Sequence, residues 1–253
     1  MEQDIYDEMA KQEGQHWWFV ARRKYVQKLI SKYFPPDSKY RVCEIGCGTG
    51  GNLEMLSQLG CVDAVELNES ARQVAKSKEI KNVLGVCSGY LPDGIPLTEK
   101  YDGVFSLDVI EHVENDLEAV KALKSLIAEN GRLIVTVPAY QWLWSAHDEV
   151  NHHFRRYSKK TFLELFDSAG LKIRYVSYFN SILFPLALLS RITEKISPNK
   201  TATKTWGVKY PSVWVNALLK KIFEIESIWA GKFSIPFGLS IVVVAELEKS
   251  DYL

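Results

Sequence analysis

From residue 40 onward, short apolar runs rich in β-branched residues alternate with stretches of helical period. YRVCEI (40–45), CVDAVEL (61–67), NVLGV (82–86), YDGVFSL (101–107) and GRLIVTVP (131–138) each predict a strand. Between them, Leu53, Met55, Leu56 and Leu59 mark a helix stopped by Gly60, and an Ala/Lys/Glu-rich helix follows over 69–79. A third helix is expected over 115–129, with Asn130-Gly131 as its stop. Strands separated by helices are βαβ units, and right-handed crossovers make them a doubly wound parallel sheet. SKKTFLELFDSAG (158–170) has a Ser cap and a Gly stop, so it reads as another helix. Two strands remain, LKIRYVSYF (171–179) and LSIVVVAELE (239–248). The chain between them carries FPLALL (184–189), a polar Lys/Thr-rich stretch (199–209) read as a mobile loop, and an apolar-periodic helix from Val213 to about Trp229. That is too long for a connection and reads as an inserted cap.

Composition removes several functions. Of the 253 residues, 31 are basic and 31 acidic, so the chain lacks the positive surface that drives phosphate-backbone binding. No run approaches the roughly 20 apolar residues of a membrane span. The opening MEQDIYDEMAKQEGQ is polar and acidic, unlike a secretory signal. A cytoplasmic location is therefore expected, with Cys43, Cys47, Cys61 and Cys87 as buried reduced thiols. Seven Trp (17, 18, 142, 144, 206, 214 and 229) all avoid residues 38–137. They are expected to surround a substrate with an apolar or ring-shaped face.

EIGCGTGG (44–51) places Gly46, Gly48 and Gly51 in a G-x-G-x-x-G turn after a strand and before a helix. Two cofactor classes use such a turn. Glu44 separates them: a carboxylate at the strand tip opposes a pyrophosphate but attracts an ammonium and a sulfonium. Glu66, at the end of the second strand, can accept hydrogen bonds from ribose hydroxyls of either class.

These segments, with YDGVFSLDVIEHV (101–113), resemble motif I, the ribose acid and the fourth-strand motif of class I S-adenosylmethionine-dependent methyltransferases. The resemblance covers about residues 38–140 and implies S-adenosyl-L-methionine as cofactor. It also implies an α/β fold: a Rossmann-like, mostly parallel seven-stranded sheet whose last strand is antiparallel. By the same resemblance, Gly46, Cys47 and Gly48 approach the cofactor, Glu66 and Leu67 meet its ribose, and Leu107 and Asp108 border the methionyl side. The family often carries an Asp before a Leu-Pro to receive the adenine amino group. Here Cys87 and Ser88 stand in GVCSGYLPDG (85–94), which leaves Ser88 or backbone groups for that task.

Substrates of open α/β sheets bind beyond the carboxyl ends of the strands, where PAYQWLWSAHDEVNHHFRRY (138–157) lies. A hydroxyl acceptor benefits from a base. His147, His152 and His153 are candidates, with His147 or His152 favoured and Asp148 able to orient one of the three. Arg155, Arg156 and Tyr157, with Tyr140, could grip a carboxylate, phosphate or sugar. Alternatively, Arg155 pairs with Asp148 to staple the loop. The His/Asp run has irregular spacing, so no metal is expected, and His112 reads as a packing residue. HWWFVARRKYV (16–26) is either a lid, with Trp17, Trp18, Phe19 and Arg23 closing the site, or a core helix. The apolar insertion can roof a pocket, form a dimer contact, or touch a membrane interface peripherally.

The resulting expectation is one domain: a lid (1–37), a Rossmann-like core (38–179 and 236–253) and a cap (180–235). It methylates an oxygen of a small-molecule, glycan or lipid-linked acceptor, as a monomer or homodimer with no nucleic-acid partner. The alternatives are a methyltransferase-like protein that holds the cofactor without turnover, and an NAD-dependent oxidoreductase.

Overall fold

Seven strands form a single sheet in the computed structural model, which describes residues 9–36, 39–196 and 211–248. They are β1 (Tyr40–Ile45), β2 (Gly60–Glu66), β3 (Val83–Ser88), β4 (Tyr101–Leu107), β5 (Ile127–Pro138), β6 (Leu171–Phe179) and β7 (Ser240–Leu247). Their order is β3-β2-β1-β4-β5-β7-β6. The β1–β5 pairs are parallel, whereas β7 runs antiparallel to both β5 and β6. The expected doubly wound, seven-stranded sheet with an antiparallel last strand is what forms.

Strand alternation feeds two cores. Ile241, Val243 and Ala245 face one side with Leu133, Val135 and Val137, against α4 (Asp116–Ser125) and α6 (Lys159–Ser168). Val242 and Val244 face the other side with Val42, Phe105 and Ile134. This second core is covered by α1 (Trp17–Tyr33), α2 (Leu53–Ser57), α3 (Glu69–Ser77) and α8 (Val213–Glu226). α5 (Ala146–Val150) and α7 (Phe184–Ile196) lie in the two segments over the strand ends. Local chemistry sets several boundaries. Asn68 caps α3 by accepting from Ala71 N at 3.0 Å, and Ser158 caps α6 by accepting from Thr161 N at 3.1 Å.

The helix expected over 115–129 stops at Ser125, and Asn130-Gly131 lies inside β5. Burial overrides the helical signal: Leu126 O accepts from Tyr101 N at 2.8 Å, and Ile127 pairs with Tyr101. The register then slips to Gly103↔Arg132, and a Cβ on Gly131 would sit 2.6 Å from Tyr101 O. Gly131 is thus a bulge residue and no helix stop. Only Cys43 and Cys47 are buried; Cys61 and Cys87 are exposed, Cys61 at the start of β2 and Cys87 near the end of β3 at the edge of the described sheet.

The two segments flanking the core in sequence meet in space. α1 packs along α8. Trp17 N donates to Asn216 Oδ1 at 2.8 Å, Trp17 lies edge-on to Phe223, and Lys24 pairs with Glu224 at 2.9 Å. Tyr25, Val26 and Leu29 of α1 are buried in the second core, so most of its apolar stripe is core packing while its first turn faces the site. The 199–209 stretch and Trp206 lie outside the described residues. Among the described residues, no helix is long and apolar enough to cross a membrane.

Candidate active site

The chain reverses its winding direction between β1 and β4, and the carboxyl ends of these strands open on a cavity of about 720 Å³. The glycine turn forms one wall. Gly46 has φ +79°, and a Cβ there would lie 2.5 Å from Val109 Cγ2, so only glycine fits. Glu66 pins this turn to the next helix: Oε2 accepts from Gly48 N and Oε1 from Asn68 N, both at 2.8 Å. Glu44 sits fully buried behind the turn, with Oε1 accepting from Asn52 Nδ2 at 2.7 Å. Its Oε2 has no hydrogen-bond partner among the described residues. Burial pushes this carboxyl up to about 7.

Asp108 has a left-handed backbone (φ +58°), as do His152 and Asn180, which also line the cavity. Non-glycine residues in that region carry strain of the kind found at functional sites. Asp108 is held by Arg22 at 2.7 Å and by the Thr136 hydroxyl at 3.0 Å, and Arg22 Nη2 also donates to Thr136 Oγ1 at 3.1 Å. Arg22 in turn lies over the Trp18 ring.

The loop after β5 supplies the opposite wall. Asp148 is fully buried; its Oδ2 accepts from Ser145 N, capping α5, and its Oδ1 accepts from Arg156 Nε at 2.7 Å. Oδ1 also bonds His153 Nδ1 at 2.9 Å. Burial alone would raise its pKa, but the bonds from His153 and Arg156 outweigh it and hold Asp148 below the usual carboxylate range. His153 meets His112 edge-on, with ring centroids 4.5 Å apart. Burial lowers His112 to about 3. Asn151 Nδ2 lies 3.3 Å from both ring nitrogens of His147.

The cavity collects most of the residues singled out from sequence: Gly46, Cys47, Gly48, Glu66, Leu67, Leu107 and Asp108 on one side, and Trp18, Arg23, Arg156, His147 and His152 on the other. Asp148 lies behind the second wall and touches it through His153 and Arg156. Four expected residues fall elsewhere. Ser88 is exposed at the end of β3, while Gly89, Tyr90 and Leu91 face the cavity instead. Tyr140 stacks on Tyr178 outside the cavity. Arg155 pairs with Asp116 at 2.7 Å, and Tyr157 donates its hydroxyl to the same carboxylate at 2.8 Å. Side chains alternate along the stretch that ends in the Ala139–Tyr157 bridge, so Arg155 and Tyr157 point away while Arg156 points in. The staple to Asp148 is therefore Arg156 and not Arg155.

The Trp expectation also needs correction. Trp17 and Trp18 line the cavity, but Trp142 and Trp214 are 51% and 87% exposed. Sequence reasoning passed over Arg22, Glu111 and Asn151, which face the cavity. Arg22 had one available signal, its helical i+4 spacing from Trp18.

The family model described as a methyltransferase domain matches residues 17–176. The chain belongs to the class I S-adenosylmethionine-dependent methyltransferases. Similar curated proteins include the ubiquinone biosynthesis O-methyltransferases of Glaesserella parasuis serovar 5 (31% identical over 104 residues, 38% of this chain and 44% of that one) and Rickettsia felis (32% over 123 residues, 46% and 48%). The malonyl-[acyl-carrier protein] O-methyltransferase of Bacillus anthracis is 32% identical over 107 residues, 40% of this chain and 39% of that one. The chain thus spans under half the length of these relatives. In fold it resembles the chain in the complex between the Haloferax volcanii Trm112 methyltransferase activator and a methyltransferase described as putative (TM-score 0.62, 16% identity, 99% of each chain). A structure from Bacillus halodurans with the same description has TM-score 0.56 and 17% identity, covering 86% of this chain and 96% of that one.

S-adenosylmethionine suits the residues present. The buried Glu44 Oε2 has hydrogen-bonding capacity to spare beside the turn, and Gly46 keeps that turn open where a side chain would block it.

Proposed function

We propose that this methyltransferase acts on an oxygen of a small-molecule, glycan or lipid-linked acceptor. The observation that carries this reading is one cavity with two chemically different walls, a glycine turn with acids and a wall of histidines. The O-methyltransferase names of its relatives support the acceptor atom. When bound, the cofactor supplies an electrophilic methyl group on a sulfonium. Glu44 and the turn Gly46–Gly48 would hold its methionyl end, Glu66 with Leu67 its ribose, and Gly89, Tyr90 and Leu91 the adenine. Leu107 and Asp108 border the methionyl side, with Arg22 fixing Asp108 in place. The N-terminal segment and the 180–235 insertion together contribute Trp17, Trp18 and Ala187 to the roof. They exclude water and orient the acceptor, and positioning of this kind is worth roughly 7–11 kcal/mol in favourable intramolecular cases.

On the other wall, His147 or His152 takes the acceptor proton, and Asp148 acts through His153 and Arg156 as a positioning residue. Radiolabelled methyl transfer to a panel of phenols, catechols, sugars and prenylated acceptors tests the reading. His147→Ala or His152→Ala is expected to lower turnover by on the order of 10²-fold or more while cofactor affinity stays unchanged. Full turnover in both variants rules out this base assignment. Tight cofactor binding with no transfer to any acceptor supports a binding protein without turnover.

Glu44 gives the site a pH dependence. In the free protein its buried carboxyl keeps its proton up to about 7. A neighbouring ammonium favours the ionised form, so binding releases that proton. Affinity for S-adenosylhomocysteine is therefore expected to climb with pH, by at most about tenfold per unit, and to level off above about 7. Calorimetry in buffers of different protonation enthalpy checks this, and Glu44→Gln should flatten the profile. A flat wild-type profile removes Glu44 from the role.

A further inference from the structure

The turn after β4 and the loop after β5 bring together three side chains with ligand chemistry: Glu111, His112 and His153. One ligand atom from each lies within 4.8 Å of the others, and all three line the cavity. Glu111 is 1% exposed, and its Oε2 has no hydrogen-bond partner among the described residues. Leaving a buried carboxylate oxygen unpaired is costly, and a cation in the triangle removes that cost. His153 already bonds Asp148 through Nδ1, which directs Nε2 elsewhere; a carboxylate behind a histidine is the usual support of a metal ligand.

We propose that Glu111, His112 and His153 form a binding site for a divalent transition-metal ion on the acceptor side of the cavity. Two imidazole nitrogens and one carboxylate oxygen suit zinc, manganese or iron(II) better than magnesium or calcium, which prefer all-oxygen shells. Three protein ligands on one side leave positions open toward the cavity for an acceptor oxygen. There the ion draws electron density from the acceptor hydroxyl and lowers its proton affinity, and the proton passes to His147 or His152. This use of the ion rests on the oxygen-acceptor reading above; the binding of the ion does not.

The test uses the full chain, freed of metal by chelation and titrated with Co²⁺ alone. One equivalent is expected to bind, with visible d–d absorption and a calorimetric signal. Glu111→Gln and His153→Gln should each weaken Co²⁺ binding by roughly tenfold or more, and Asp148→Asn by on the order of 10–100-fold. S-adenosylhomocysteine affinity, measured separately, reports whether each variant is folded and whether the methyltransferase reading itself stands. Should the variants not fold, wild-type protein with substoichiometric Mn²⁺ still decides: the His112 and His153 ring signals must broaden ahead of His16. Absence of Co²⁺ binding, equal binding in folded variants, or broadening that favours His16 overturns the site.

Discussion

Glu66→Ala is expected to weaken S-adenosylhomocysteine binding by about 1–3 kcal/mol, the range for lost hydrogen bonds to a charged group. Two mechanisms add. Each Glu66 oxygen has lone-pair capacity left after accepting from Gly48 N and Asn68 N, and that capacity suits ribose hydroxyls. Removing the carboxylate also unties the glycine turn from the start of α3, so the free protein must order the turn on binding. The two contributions separate experimentally. A drop in thermal stability of the cofactor-free variant reports the untied turn, and calorimetry reports the whole. Glu66→Gln is no neutral control, since its amide nitrogen would face one of two backbone N–H donors. Wild-type affinity in Glu66→Ala means that the ribose is held elsewhere.

Arg22→Met is expected to destabilise the protein strongly. The Arg22 side chain is 6% exposed and that of Asp108 21%, so both ions are largely out of water. Breaking such a pair from one side strands the partner and costs about 3 kcal/mol, the low end of the usual range because Asp108 keeps some solvent contact. For a chain of this size that corresponds to roughly 6–12 °C in melting temperature. The Thr136 hydroxyl remains on Asp108 but cannot replace a guanidinium. Adding Asp108→Asn to Arg22→Met should recover part of the loss, because the two sites couple. A single variant that melts with the wild type, or a double variant no better than the single, would refute the account.

The fold was legible because strand alternation and glycine turns are local signals. The sequence boundaries of β1, β4 and β6 coincide with the observed ones. The start of β5 was not legible, since only the neighbouring strand reveals that Leu126 and Ile127 pair with Tyr101. In the site, the glycine turn and Glu66 could be found because one short segment carries each. Sites assembled from two distant segments could not. His112 looked like a packing residue, Glu111 gave no signal, and His153 looked like one of three loop histidines, until the β4–β5 pairing set them together. Arg155 and Arg156 show a finer limit: neighbours of identical type went to opposite sides through backbone alternation, which composition cannot display. Tryptophan excess misled for a related reason. Clustering along the chain did not become clustering in space, as the exposure of Trp142 and Trp214 shows.

The position of β7 carries a consequence for how this chain folds. Among the described residues, β7 is the last strand in sequence, yet it lies between β5 and β6, and it is the only strand beside β6. On the ribosome, β6 therefore emerges with no neighbour, and β5 presents an unpaired apolar edge until residues 240–247 follow. Exposed edges of this kind invite pairing with other chains. α1 is in a similar position, since α8, which packs along it, is made almost two hundred residues later. Such distant closures slow folding, so completion of both the sheet and the roof waits on the synthesis of residues 213–247.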